Sequence, residues 1–286
     1  MLKSRFYVKI IVRPHYERIG ELTVMTKSFF RLLTELSSRK TISRLTGAFA
    51  KSRASRSFIP RFAKIYGIRI EDAEKKLSEY ASLNDFFTRR LKTGLRPVDV
   101  APHKIVSPVD AAITGMGPIS EGLILNVKGQ DYTVEELLNH SPRTVNYTNG
   151  FYYVLYLSPT DYHRIHTPVE GTIIEKEHVP GRVYPVNEFG LRHMRRVLSR
   201  NERLITYMQH EGGELAVVKV GAMNVSSIQY VSPLPEQPGR GDELAYFEFG
   251  STVVLLMESG TFEGRKDLQV GSKVKMGEAL GTIKES

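Results

Sequence analysis

The spacing of apolar residues changes character near residue 95. Over residues 21–36, Leu22, Met25, Phe29, Leu32, Leu33 and Leu36 fall on one helical face, with Thr26, Lys27, Arg31 and Glu35 elsewhere. Residues 42–56 continue in the same style, with Ile42, Leu45 and Phe49 set among Arg44, Lys51, Arg53 and Arg56. Ser82-Leu83-Asn84-Asp85 is a capping-box pattern, opening a helix through Phe86, Phe87 and Leu91 that Gly94 ends. Beyond Arg96-Pro97 the pattern turns to short apolar runs separated by turn residues, which predicts strands over 152–157, 171–177, 214–220 and 246–257. One helix is expected at 133–138, again behind a capping box. The fold class is therefore α+β: a basic helical region over 1–95, then a β-rich domain over 96–286.

One stretch organises the second part. Residues 244–249 alternate like a half-buried strand, Val253 to Met257 read as a strand buried on both faces, and Gly250-Ser251-Thr252 interrupts them. A glycine inside such a pattern is ordinarily a bulge. Near the C-terminus, residues 270–281 resemble the hairpin repeat of lipoyl- or biotinyl-type hybrid barrels, without the attachment lysine turn.

Charge adds a second division. Residues 1–70 carry 16 Lys/Arg against 3 Asp/Glu, whereas the remainder carries 24 against 28. A basic segment on a mildly acidic body points to an anionic partner. Basic residues alternating with apolar anchors favour an anionic membrane surface over nucleic acid, for which no motif or stacking aromatics occur. Packing of the same apolar stripe on the protein's own core is the competing reading. No apolar run approaches the roughly 20 residues of a transmembrane helix, and Lys9 and Arg13 break up any signal-peptide core. The chain has no cysteine, so disulfides and thiolate metal sites are excluded; with no acidic cluster at ligand spacing, no metal is expected.

Four motifs carry the chemistry: Ser107-Pro108-Val109-Asp110-Ala111, Leu157-Ser158-Pro159-Thr160-Asp161-Tyr162-His163-Arg164-Ile165-His166, Gly221-Ala222-Met223-Asn224-Val225-Ser226-Ser227 and Phe249-Gly250-Ser251. In this order they resemble the phosphatidylserine decarboxylases, pyruvoyl-dependent enzymes made as proenzymes that cleave themselves at a Gly-Ser bond. Leu83-Asn84-Asp85-Phe86-Phe87 and Gly94-Leu95-Arg96-Pro97 extend the resemblance upstream.

The resemblance implies a set of roles. Ser251 attacks the carbonyl of Gly250, His166 takes its proton, and Asp110 completes a charge relay. A glycine before the serine leaves that carbonyl sterically open, a serine hydroxyl needs a neighbouring base, and imidazole is available neutral near pH 7. The ester eliminates and hydrolyses, leaving a pyruvoyl group at position 251, a β chain of residues 1–250 and an α chain of 251–286. That group, the cofactor, condenses with the substrate amine and acts as an electron sink. His163 is the candidate for positioning the substrate or protonating the intermediate. Gly181-Arg182-Val183-Tyr184 also matches the family, and Arg182 is a candidate phosphate contact against the default of a surface arginine.

Ala111 and Ser226 stand where the family usually has glycine, and Phe249 where Leu or Gly is common; none touches the triad. The expected partners are phosphatidylserine and an anionic membrane surface on the cytoplasmic side of the cell membrane, with peripheral attachment. Oligomeric state stays open, a homodimer included. Two other readings remain at this level: a pyruvoyl decarboxylase of a soluble amino acid, and a non-catalytic lipid-binding relative.

Overall fold

The computed structural model describes residues 47–120, 123–127, 130–184, 186, 194–222, 228–248 and 251–284. The helix expected over 21–36 and Gly250 itself lie outside them. The described chain is β-rich α+β, dominated by antiparallel sheets.

Residues 59–91 form a small helical layer. Helix α1 (Ile59–Tyr66) turns Ile59 and Ala63 inward and closes on Gly67, whose φ of 63° permits the left-handed cap. Ile59, Ala63, Ile68, Ala73, Tyr80 and Phe86 bury one another in a cluster separate from the main core. Helix α2 (Leu83–Phe87) starts where the capping pattern places it, with Ser82 Oγ accepting from Asp85 N–H at 3.2 Å. Asp85 reaches back to Ala81 N–H rather than to Ser82. The helix stops at Phe87, short of the expected end, and Leu91 bridges Ala73 instead.

The body is a seven-stranded antiparallel sheet built from β2 (Ala111–Pro118), β5 (Phe151–Leu157), β7 (Thr172–Val179), β8 (Arg203–His210), β9 (Gly213–Gly221), β12 (Ser251–Met257) and β14 (Lys273–Val274). Their order is β14-β2-β5-β12-β9-β8-β7. Strand β12 is central and every residue of it is buried, which explains its unbroken apolar run. Edge strand β7 instead exposes Glu175 and Lys176, charges that discourage edge pairing. Helix α3 (Val134–Leu137) packs against α4 (Val197–Arg200), with the expected Thr133 cap on Glu136 N–H.

β3 (Leu123–Val127) and β4 (Gln130–Thr133) pair as a two-stranded sheet, and two three-stranded sheets flank this body. One joins β6 (Arg164–His166), β10 (Ile228–Tyr230) and β11 (Glu243–Phe247) in the order β10-β11-β6; the other joins β1 (Lys104–Val106), β13 (Phe262–Gly264) and β15 (Ala279–Ile283) as β1-β15-β13. Residues 246–257 thus divide between two sheets, β11 and β12, at the Gly-Ser interruption. The hairpin expected over 270–281 does not form. β14 pairs with β2 and β15 with β1 and β13, because Val274 and Leu280 are drawn into the core from two different sheets.

Candidate active site

Ser251 opens the central strand, opposite Leu157 of β5 and Gly221 of β9. A glycine opposite leaves space beside the hydroxyl. Lys219, two residues before Gly221, shares this face, and its Nζ reaches Thr206 Oγ1 at 2.5 Å and sits 5.1 Å from the Tyr230 ring. Tyr230 belongs to β10, so the face bearing Ser251 is the one covered by the sheet of β6. Ser251 is fully buried, and its Oγ has no hydrogen-bond partner among the described residues. A buried hydroxyl without a partner costs stability, and such exceptions concentrate where chemistry needs the group free.

The histidine segment is tied to the same place through the backbone. Phe247 N–H donates to His163 C=O at 3.1 Å, so only residues 248–250 separate that bond from Ser251. Four residue steps span at most about 14 Å. His166 N–H donates to Pro108 C=O at 2.9 Å, which lays the Ser107–Asp110 segment against β6.

The side chains do not form the linear relay that the resemblance implies. Asp110 accepts from Arg96 Nε at 2.7 and 3.0 Å, from Arg96 Nη2, and from Met276 N–H at 2.9 Å. His166 Nδ1 bonds Gly241 C=O at 2.7 Å and its Nε2 bonds Tyr162 OH at 3.1 Å. A carbonyl only accepts, so the proton sits on Nδ1 and Nε2 is the basic nitrogen. The Gly241 carbonyl fixes the tautomer, a task that the triad assigns to a carboxylate. Burial holds the His166 pKa below the usual histidine value, against the opposing pull of the Gly241 carbonyl and of Glu243 and Asp110.

His163 is fully buried, its ring 4.0 Å from that of Phe87. Its Nδ1 donates to Asp161 C=O at 2.9 Å and its Nε2 has no partner among the described residues. Burial pushes its pKa down to about 3, with the Arg89 cation contributing in the same direction. Between that value and about 6.5 the unfolded chain binds a proton that the folded chain refuses, so stability rises with pH across this window. In a Ser251→Ala background, urea unfolding should show stability falling below pH 6.5. His163→Gln should make that fall shallower by about 1.4 kcal/mol per pH unit. Parallel curves for the two proteins count against a neutral buried His163.

A cavity of about 450 Å³ adjoins this cluster, lined among others by Arg89, Arg96, Asp110, Tyr156, Tyr162 and Lys273. Ser251, His163 and His166 are not on its wall; it meets them through Asp110 and through Tyr162, the partner of His166. Sequence reasoning missed Arg96 as the counter-ion of Asp110, Tyr162 as the partner of the base, and Arg89. Arg96 and Tyr162 stand inside the quoted motifs and Arg89 two residues beyond one, but pairing across the fold leaves no local signal. Arg182 is exposed and is not on this cavity. Among the described residues no group of acidic, histidine or cysteine side chains is arranged to hold a metal ion.

The chain is similar to known proteins over most of its length. The family model described as phosphatidylserine decarboxylase matches residues 83–282. A phosphatidylserine decarboxylase proenzyme of Geobacillus kaustophilus (strain HTA426) is 47% identical over 258 residues, covering 90% of this chain and 97% of its own. Proteins of the same name from Halalkalibacterium halodurans and Bacillus cereus (strain ZK / E33L) are 45% and 40% identical, each over 90% of this chain and 99% and 98% of their own. With a family match across most of the chain and identities of this size over nine-tenths of it, the chain belongs to the phosphatidylserine decarboxylase family.

Proposed function

We propose that this chain is a proenzyme that cleaves itself between Gly250 and Ser251, and that the two-chain product decarboxylates phosphatidylserine to phosphatidylethanolamine. The observation that carries this reading is the Ser251 hydroxyl: fully buried, without a partner among the described residues, and first in the central strand. Its proton passes to His166 Nε2, which must exchange the Tyr162 hydroxyl for that of Ser251. The oxygen forms an ester with the Gly250 carbonyl carbon as the peptide C–N bond breaks. Loss of the α-proton of Ser251 then expels the Gly250 carboxylate, and hydrolysis of the remaining enamine releases ammonia.

The residues present fit a pyruvoyl group at position 251. The new chain end stays clamped between β5 and β9, and Gly221 opposite leaves room beside it. The group supplies an electrophilic carbonyl that draws electrons from the substrate's α-carbon as carbon dioxide leaves. Around it the protein excludes water, and His163 offers an unprotonated Nε2 to the substrate amine. A nitrogen held at a pKa of about 3 accepts a hydrogen bond far more readily than it supplies a proton. This favours positioning as the role of His163.

Attachment to the cytoplasmic side of the cell membrane is peripheral in this reading. No helix among the described residues is long and apolar enough to cross a membrane. Phe58, Ile65, Tyr66 and Ile70 are exposed on the helical layer beside Arg61, Lys64 and Arg69, a combination suited to an anionic lipid interface. Gly67 and Arg69 of that layer also line the cavity, so the apolar patch borders it. The deciding experiment supplies phosphatidylserine in mixed micelles to the purified protein. Phosphatidylethanolamine and carbon dioxide should form, with free serine left untouched. Turnover of free serine instead of the lipid overturns the substrate; a chain that stays whole and inactive overturns the enzyme.

A further inference from the structure

Arg89 is a buried guanidinium with no ion-pair partner among the described residues. It follows α2, is 4% exposed, and lines the 450 Å³ cavity. Its Nη2 donates a long bond of 3.4 Å to Thr160 C=O, and the group lies 5.2 Å from the Phe86 ring centre. Its Nε and Nη1 find no hydrogen-bond partner among the described residues. The nearby carboxylates are engaged elsewhere. Asp72 pairs with Arg69 at 3.0 Å, Asp110 pairs with Arg96, and Asp161 accepts from Ser158 N–H at 2.7 Å. Lys273 and Lys275 add two more cations to the wall. A buried charge left unpaired is costly, and a protein retains one where a ligand completes it.

We propose that Arg89 anchors the phosphate group of the substrate headgroup in this cavity. This rests on the decarboxylase reading above. The substrate's headgroup carries two oxyanions, and the chemistry separates them. The carboxylate departs as neutral carbon dioxide, so a cation fixed on it stabilises the ground state more than the transition state and slows the reaction. The phosphate keeps its charge throughout, and a guanidinium fork matches its oxygens. The placement agrees: Phe87, two residues before Arg89, packs its ring 4.0 Å from that of His163, so a phosphate held at Arg89 sits on the side of the cavity nearest that histidine.

The test compares wild type with Arg89→Met and Arg89→Lys in two assays. In the first, thermal melting is followed in inorganic phosphate and in chloride of equal ionic strength. Wild type should melt higher in phosphate. Arg89→Met should melt above wild type in chloride, because an unpaired buried charge is gone, and should show no phosphate shift; Arg89→Lys should keep a reduced one. In the second, with phosphatidylserine in mixed micelles, Arg89→Met should raise KM about tenfold or more while kcat changes much less. A phosphate shift that persists in Arg89→Met, or an unchanged KM, overturns the assignment. If wild type turns over no lipid while the phosphate shift still depends on Arg89, the anion site stands and the decarboxylase reading falls.

Discussion

Ser251→Ala is expected to leave the chain whole and to bring phosphatidylserine decarboxylation down to background, a loss of at least about four orders of magnitude. Intact mass reports the first effect: one species of 286 residues in the variant, against fragments of 1–250 and 251–286 in wild type. The fold should not confuse the result. Ser251 Oγ bonds nothing among the described residues, so its removal breaks no hydrogen bond to them and thermal stability should shift by about 1 kcal/mol or less. The next residue supplies the control. Thr252 also has a buried hydroxyl without a partner among the described residues, but it faces the other side of the sheet, opposite Tyr156 and Val220. Thr252→Val should therefore cleave at the wild-type rate. Cleavage of Ser251→Ala, or failure of Thr252→Val alone, removes Ser251 from the centre of the mechanism.

The difference between those two hydroxyls shows what the sequence discloses. Alternation and the Gly-Ser interruption place the strand and its break to within a residue or two, because the positions of a strand buried on both faces are mostly apolar. The capping patterns at Ser82 and Thr133 likewise mark real helix starts, since they satisfy backbone N–H groups within one turn. Residues 270–281 mislead for a complementary reason: two short apolar runs around a turn look like a hairpin whether or not they pair with each other. The choice between partners is made by strands far away in sequence. The site divides in the same way. Asp110, His166 and Ser251 are legible through motifs, but Arg96 is 14 residues from the carboxylate it holds, and Gly241 is 75 from the imidazole it orients. Lys219, fully buried with its pKa forced well below that of a free lysine by desolvation, stands in an apolar run that gives no hint of the Thr206 hydroxyl and Tyr230 ring awaiting it.

His166→Ala should slow self-cleavage by about 10²–10⁴-fold, the range for removing a positioned general base. The pH profile distinguishes a base from a mere packing residue. Cleavage requires neutral Nε2, and burial keeps the His166 pKa below its ordinary value. The wild-type rate should therefore be flat from pH 7 upward and fall about tenfold per unit once pH drops below the folded pKa. His166→Ala should retain only a slow rate without that inflection. Asp110 acts on this profile through charge, since its carboxylate bonds Arg96 and Met276 N–H and leaves the imidazole to Gly241. Asp110→Asn leaves the Arg96 cation uncompensated and withdraws a negative charge that raises the His166 pKa. The inflection should consequently move to lower pH, while the folded state weakens from the unpaired guanidinium; Arg96→Met added to Asp110→Asn should recover part of that stability. The rates are to be followed by mass on freshly folded chain, over pH values at which near-ultraviolet dichroism shows native packing. A profile in Asp110→Asn shifted upward instead would mean that Asp110 controls the base by something other than its charge.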